Sequence, residues 1–416
     1  MKILITGGAG FIGSATVRNL RGYGYDITVY DNLSKGYKEA VPPEIEFVQG
    51  DLSDKKKLIT VLKKGFDCVV HFASYIEAGE SVYKPSKYYQ NNVINTLSLL
   101  QAMVEANVKK IVFSSSAGVY GNPLSVPISE DALLAPVNPY GETKMIMEQM
   151  IKEFSKKYNF NAVALRYFNA AGALFDCGES HNPETHIIPR FINAALNEEN
   201  IFIFGDGSHE RDYVHVSDLA DAHKLSVDFL LSKKDNTGLF EVFNIGTGKR
   251  YSNLELANKI IELVSKRLNK SINSNILFLD SRPGDPLYLA ASYKKAKNIL
   301  GWSPKKVLLD EIISDAIEWH ISGKNFSKNF IAPDENSYDY VINICKLLNE
   351  DSCLSNLLKW QILRRLYKDE INTIRVIPYK DKSDEEIVFL LRNDLKEKDS
   401  LLFYLLEETW KYCLRI

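Results

Sequence analysis

Tyr140 and Lys144 stand four residues apart in the run NPYGETK, on a stretch whose pattern is helical. Residues at i and i+4 share one helix face, so a phenol and an ammonium there can converge on one point. An ammonium beside a phenol favours the phenolate and draws a tyrosine below its ordinary pKa of about 10. So tuned, Tyr140 can serve as a general base while Lys144 holds a neighbouring ribose. Taken alone, the spacing fits an exposed surface pair equally well. The serine run 114–116 changes that balance, because it ends an apolar run upstream where Ser116 would face the same crevice. Its hydroxyl can hydrogen-bond a reacting hydroxyl or relay its proton.

A second constellation lies at the N-terminal end. Gly7, Gly8, Gly10 and Gly13, with Phe11 and Ile12 between them, follow a predicted strand and open a predicted helix. Glycines here allow a tight turn and let the backbone approach a pyrophosphate seated on the helix N-terminus. Asp31 ends the second strand, 18 residues after Gly13. A carboxylate there can accept both hydroxyls of an adenosine ribose and repels a 2′-phosphate, which favours NAD over NADP. Asp51, after the third strand, suits the adenine amino group.

The elements that must position these residues follow a regular alternation. Apolar, β-branched runs at 2–6, 27–31, 46–49, 68–72, 110–114 and 162–167 read as strands. Helical patterns at 11–21, 55–63, 85–106 and 140–158 separate them. Such alternation predicts a parallel sheet covered on both faces, an α/β, Rossmann-type doubly wound fold. The NAD-binding part spans 1–168, with 214–248 as later segments that can return to it. Residues 169–322 form a smaller α/β substrate-binding lobe over the carboxyl ends of the strands. It carries helices at 187–197, 218–230 and 253–266 and strands at 201–204 and 241–245. A Gly, Ser, Asn and Pro-rich break near 322–333 precedes a mainly helical C-terminal extension, 323–416. There Ser383 to Glu386 reads as a capping box, and 369–379 could hold a strand.

Composition sets the class. The chain has 416 residues with a formal net charge of −2, so it lacks the basic excess of a nucleic-acid binder. Five cysteines, an odd number and widely spaced, point to reduced thiols in a cytosolic compartment. No basic-then-apolar leader and no run of about 18 apolar residues is visible, so a soluble, cytoplasmic protein without membrane contact is expected. No metal site is expected: Cys345 and Cys353 have no histidine after His320 to complete one. Structural roles outweigh metal ligation for His71, His186, His215 and His223.

The motifs GGAGFIGS, DNLSKG, HFAS, KPSKYYQNNV, SSSAGVYG, NPYGETK, LRYFNAAGA, HNPETHIIPRF, RDYVHVSDLADAH, NIGTG and RPGDP occur in this order. As a set, over residues 1–320, they strongly resemble bacterial UDP-glucose 4-epimerases of the extended short-chain dehydrogenase/reductase group. The resemblance implies tightly held NAD, a UDP-sugar substrate and a homodimer built on helices 85–106 and 140–158. It assigns catalysis to Ser116, Tyr140 and Lys144. Gly7, Gly10, Phe11, Ile12, Asp31, Asn32, Leu33, Ser34 and Gly36 should line the cofactor, with Asp51, Leu52, Phe72, Ala73, Asn91 and Phe168. Asn169, His186, Ile187, Phe204, Arg211, Arg282, Asp285 and Leu289 should contact the nucleotide-sugar, alongside Ser116 and Tyr140.

The implied reaction interconverts UDP-glucose and UDP-galactose through a transient 4-keto sugar. Related dehydratases place an Asp-Glu pair just after the catalytic serine or threonine; here Ala117 and Gly118 stand there, which disfavours dehydration. Some epimerases carry a cofactor-side lysine where this chain has Ile76. The loop before Arg211 is shorter than in many. Leu289 aligns with a position whose bulk admits or excludes N-acetylated sugars, so a UDP-GlcNAc/UDP-GalNAc 4-epimerase stays open as an alternative. Another nucleotide-sugar-modifying short-chain dehydrogenase and a non-catalytic NAD-binding scaffold also remain open. The extension, 323–416, has no counterpart in the family and could dock a protein partner.

Overall fold

The computed structural model describes residues 1–181, 184–280 and 286–322. By contacts the chain divides into two units, Met1–Ser327 and Lys328–Ile416, and the description below concerns the first. The capping box at Ser383 and the strand suggested at 369–379 lie outside the described residues, as do Arg282 and Asp285.

Six strands alternate with helices: β1 (Lys2–Thr6), α1 (Phe11–Gly22), β2 (Asp26–Asp31), β3 (Glu46–Gln49), α2 (Lys55–Leu62), β4 (Cys68–His71), α3 (Ala78–Tyr83), α4 (Pro85–Tyr88), α5 (Asn95–Glu105), β5 (Lys110–Ser116), α6 (Pro139–Tyr158) and β6 (Asn161–Tyr167). The chain continues through β7 (Asn169–Ala171), β8 (Ala173–Leu174), β9 (Cys177–Gly178), α7 (Ile187–Leu196), β10 (Ile201–Phe204), β11 (Glu210–Arg211) and β12 (Tyr213–His215). Then come α8 (Val216–Ser232), β13 (Phe240–Ile245), β14 (Tyr251–Ser252), α9 (Asn253–Leu268), β15 (Ile276–Leu279), β16 (Tyr288–Leu289), α10 (Lys294–Leu300) and α11 (Leu309–Ile321). β13 pairs with β6 and α8 packs on α1, whereas β12 pairs with β7 in a separate two-stranded sheet.

Seven strands make one all-parallel sheet in the order β13-β6-β5-β4-β1-β2-β3. Side chains alternate between its faces. Ile3, Ile5, Val29, Val70, Val112 and Leu165 pack with Val17 and Leu20 of α1 and Leu219 of α8. Leu4, Tyr30, Val69, Ile111, Phe113 and Ala164 pack with Leu58 of α2, Leu99 of α5 and Met147 of α6. This is why the strands read as continuous apolar runs: both faces are buried. The order reverses between β1 and β4, so the turns after these two strands diverge and open a crevice at their carboxyl ends.

The smaller lobe has its own core, in which Phe191 and Ile192 of α7, Leu256 and Ile260 of α9 and Ile312 and Ile313 of α11 meet. Its strands are two to four residues long, which is why their pattern was faint in the sequence. One expectation needs correction. The continuous helix anticipated at 85–106 is α4 and α5 separated by a π-helical turn, Tyr89–Ile94, and α3 precedes it unannounced. Within that turn Asn92 faces inward, donating to Tyr75 O at 3.0 Å and Thr143 Oγ1 at 3.1 Å and accepting from Tyr75 N at 2.8 Å. Wide i→i+5 turns inside helices gather at functional sites, and this one borders the crevice.

Candidate active site

The turn after β1 is built by steric necessity. Gly7 has φ +74°, and a Cβ on it would lie 2.5 Å from Ala73 N, so the two diverging turns touch here. A Cβ on Gly13 would sit 2.3 Å from Gly7 O, whereas one on Gly10 would meet only Gly7 O at 3.4 Å. Gly7 and Gly13 therefore shape the turn, and Gly10 leaves its outer side open. α1 begins at Gly10 with no side-chain cap, which leaves its first N–H groups to an anion.

Asp31 is buried at the end of β2. It accepts Ala9 N at 3.0 Å and Leu33 N at 2.8 Å, and Leu33 holds φ +61° to make that bond. Burial pushes its carboxyl up, opposed by those two N–H groups. Asp51 accepts Asn32 Nδ2 at 2.6 Å and Ser53 N at 2.8 Å. Burial raises its pKa, but these donors outweigh it and hold the group below its ordinary value. Ser34 N donates to Asn32 Oδ1 at 2.9 Å, and Gly36 packs so tightly on Ala9 that a Cβ would be 2.7 Å away. Leu52 is buried on the adenine side of the sheet. The glycine turn, the uncapped helix and the paired carboxylates fit a dinucleotide with free ribose hydroxyls.

The reacting end lies across the crevice. Asn138 caps α6 by accepting Gly141 N at 2.9 Å, and Pro139 occupies its first turn. A Cβ on Gly141 would be 2.5 Å from Gly118 O, so the helix start lies directly on the turn that follows β5. That contact brings Tyr140 beside Ser116, whose hydroxyl favours the phenolate and lowers the tyrosine's pKa. One turn on, Lys144 is buried and donates to Ser114 O at 2.8 Å and Ser74 Oγ at 3.0 Å. Its Nζ is 5.9 Å from the Tyr140 ring centre. Below them Arg166 grips Glu148 with two bonds, Nε to Oε1 at 2.9 Å and Nη2 to Oε2 at 2.6 Å, tying α6 to β6.

The electrostatics correct one expectation. Burial pushes the Tyr140 phenol up to about 12, with Ser116 lowering it and Glu77 raising it further. The anticipated pull from Lys144 does not prevail, because burial also pushes the lysine down to about 7. A cation close to losing its proton is a weak partner for a phenolate.

The other expected residues fall around these two ends. Phe72 stacks on His223 at 4.6 Å, and Ala73 abuts Gly7. Asn91, on the π turn, donates to Asn92. Phe168 and Asn169 leave β6 at the crevice edge, and Asn169 is paired with Tyr213 across β7 and β12. β11 and β16 pair in parallel and set Arg211 opposite Leu289. Arg211 is buried, and Leu289 packs on the cluster that contains Phe168. Arg190 lies over the Phe204 ring at 6.0 Å, three residues beyond Ile187. His186 belongs to a cluster with Glu179, His181 and Glu184. Ile76 is exposed, and the lysine that reaches the glycine-turn cleft is Lys35, paired with Glu77 at 2.6 Å.

Two features escaped the sequence reading. Asp212 is fully buried and accepts four N–H or O–H groups: Thr247 N at 2.8 Å, Thr247 Oγ1 at 2.6 Å, Gly248 N at 2.8 Å and Ala291 N at 3.0 Å. It locks three loops of the substrate side together. Its only signal was its place between Arg211 and Tyr213. The Glu/His cluster was visible as carboxylates and imidazoles at 179, 181, 184 and 186, a spacing passed over because only His186 was weighed.

A doubly wound sheet with a glycine turn, a buried aspartate at the end of the second strand and a Ser/Tyr/Lys group fits a nicotinamide-dependent enzyme class acting at a hydroxyl-bearing carbon. A model of the NAD dependent epimerase/dehydratase family matches residues 3–246, and the chain belongs to that family. It is 46% identical over 332 residues to the UDP-glucose 4-epimerase of Lactobacillus helveticus, covering 77% of this chain and 98% of that protein. The crystal structure of UDP-glucose 4-epimerase from Brucella ovis in complex with NAD is 40% identical with a TM-score of 0.70, over 76% of this chain and 97% of that one. The Bifidobacterium longum UDP-glucose 4-epimerase, solved with NAD+ and UDP, is 33% identical with a TM-score of 0.71, over 78% and 99%.

Proposed function

We propose that this chain is an NAD-dependent UDP-sugar 4-epimerase that interconverts UDP-glucose and UDP-galactose through a 4-keto sugar. The carrying observation is the meeting of Ser116, Tyr140 and Lys144 at the carboxyl ends of β5 and α6's first turns, opposite the glycine turn and Asp31. The similarity to named UDP-glucose 4-epimerases supports the substrate.

NAD, when bound, supplies a two-electron acceptor and donor for the sugar's C4. Gly10, Phe11 and Ile12 receive its pyrophosphate, Asp31 its adenosine ribose and Lys144 the ribose nearer the reaction. Asn32, Leu33, Ser34, Gly36, Asp51, Leu52, Phe72, Ala73, Asn91 and Phe168 complete its cradle. Tyr140 must first reach its phenolate form, against the burial that raises its pKa, and then takes the proton of the 4-hydroxyl as C4 is oxidised, with Ser116 beside the same oxygen. The 4-keto sugar turns about its bond to the diphosphate, so that C4 takes its hydride back on the opposite face while Tyr140 returns the proton to the 4-oxygen. Asn169, Phe204, Arg211 and Leu289 hold the nucleotide-sugar, Arg211 through a fork suited to diphosphate oxygens.

Ala117 and Gly118 offer no acid or base after Ser116, which argues against a dehydratase. Exposed Val82, Tyr83 and Ile94, along the face that includes α3 and the π turn, support a homodimer. No helix among the described residues is long and apolar enough to cross a membrane, which supports action away from one. The extension beyond 322 is an accessory segment available to a protein partner.

Purified protein, incubated with UDP-galactose and no added NAD, should yield UDP-glucose on chromatography. No conversion even after NAD is supplied would overturn the reading. A strictly monomeric species at micromolar concentration by light scattering would overturn the dimer.

A further inference from the structure

Just before α7 the chain gathers four side chains, of which the epimerase resemblance gave a role to His186 alone. Glu179, His181, Glu184 and His186 each present one ligand atom, and the four atoms lie within 4.8 Å of one another. His186 Nδ1 stands 3.0 Å from Glu179 Oε1 and 3.5 Å from Glu184 Oε1. His181 Nδ1 stands 3.5 Å and 3.8 Å from the same two oxygens. Each nitrogen therefore faces both oxygens, and each oxygen both nitrogens. A ring N–H can aim at one acceptor only, and neither buried Nδ1 makes a hydrogen bond. Glu179 and Glu184 are themselves buried at 8% and 6% exposure.

The nitrogen–oxygen spacing suits a coordination shell as well as a set of ion pairs, and the ligand atoms, which span up to 4.8 Å, must draw in around one ion. Four N and O ligands about 2.0–2.1 Å from a central zinc stand about 3.3 Å apart in a tetrahedron. The four nitrogen–oxygen edges here bracket that value. Two neutral imidazoles and two carboxylates suit zinc, and four protein ligands close the shell, as in a structural site.

The surroundings hold the ligands in place. Glu179 O accepts Trp319 Nε1 at 3.1 Å, and Glu184 Oε1 accepts His186 N at 2.9 Å. Gly178 lies flat on the Trp319 ring, where a Cβ would come within 2.3 Å, and Cys177 Sγ meets Ser14 Oγ of α1 at 2.9 Å. His181 lines one cleft with Gly10, Phe11, Lys35 and Tyr37, so the cluster borders the dinucleotide-binding turn.

We propose that Glu179, His181, Glu184 and His186 form a structural site for one divalent transition-metal ion, zinc by ligand chemistry, which clamps the 177–187 segment beside the glycine turn. The site performs no step of the epimerisation, and its presence is independent of which sugar the enzyme takes.

The test uses full-length protein without a polyhistidine tag. Elemental analysis should find one zinc per chain. After chelation, zinc chloride should rebind with one equivalent by calorimetry and raise the thermal midpoint. Cobalt substitution should give the visible absorption of a tetrahedral site. The pair H181N/H186N should weaken zinc binding at least ~100-fold and abolish the thermal shift. E179Q, which keeps the side-chain shape, should weaken it as well and covers the case in which the double variant does not fold. Wild-type protein that carries no stoichiometric zinc and whose midpoint ignores added zinc would overturn the proposal, leaving the histidines as protonated partners of the carboxylates. Undiminished zinc binding in a folded double variant, or in E179Q, would overturn the ligand assignment equally.

Discussion

Leu289 and Arg211 are direct partners in a two-residue parallel pairing, with Glu210 opposite Tyr288 beside them. The strand that carries the Arg211 guanidinium thus also sets the position of Leu289, which packs on the cluster that contains Phe168. Leu289→Tyr should leave conversion of UDP-galactose within a few-fold of wild type and suppress any turnover of UDP-GalNAc. Leu289→Ser should raise kcat/KM for UDP-GalNAc by roughly 10-fold, since a cavity change of this size is worth about 1–3 kcal/mol in discrimination. Steady-state assays with both sugars decide it, and equal UDP-GalNAc rates in all three proteins would remove Leu289 from the specificity wall.

Tyr140→Phe removes only an oxygen from the crevice. Turnover should fall at least ~100-fold, the ordinary scale of general base catalysis. Thermal stability should stay near wild type, because the aromatic ring and its packing are kept. A near-normal rate would mean that the proton goes elsewhere.

Asp212→Asn should weaken both fold and substrate binding. The carboxylate accepts from four donors, and an amide in its place turns an NH2 toward Gly248 N and Ala291 N. Each donor left unpaired costs about 1–3 kcal/mol. Thermal unfolding and UDP titration should therefore report a lower midpoint and a higher Kd together. An unchanged midpoint would show that the loops hold without this hub.

His71 predicts acid sensitivity. It is buried between Thr6 Oγ1 at 2.7 Å and Thr96 Oγ1 at 2.9 Å, and burial, with Lys144 nearby, pushes its pKa down to about 3. The folded value lies below the unfolded one, so the unfolded chain binds the extra proton between about 6.5 and 3. Its contribution is complete above pH 6.5 and is lost as pH falls toward 3, at up to about 1.4 kcal/mol per pH unit. His71→Gln should flatten the stability–pH slope across that window in denaturant titrations. An unaltered slope would assign the acid sensitivity to other groups.

Local pattern carried much of this protein into view. The apolar strands of the main sheet were legible within a residue or two because burial on both faces leaves no polar alternation to confuse the reading. The glycine turn and the Tyr140/Lys144 pair were legible because they are short, contiguous signals whose geometry the helix period or the turn sterics dictate. What depends on distance along the chain was not. The π turn breaks a helix that local propensity would continue, since Asn92 finds partners in Tyr75 and Thr143. The two-residue strands β11, β14 and β16 exist only through each other, so no periodicity announces them.

The sequence by itself therefore determined the fold class, the dinucleotide-binding turn and which residue types could carry chemistry, because these rest on contacts within a few residues. Only the tertiary structure decided the protonation balance of Tyr140 and Lys144, set by burial that no local window reveals. It also decided that Arg211 faces Leu289, that Asp212 binds three loops, and that His186 clusters with Glu179, His181 and Glu184. Each is a relation between segments brought together by packing, and the desolvation and hydrogen-bond energies that act there arise only once the chain has closed around them.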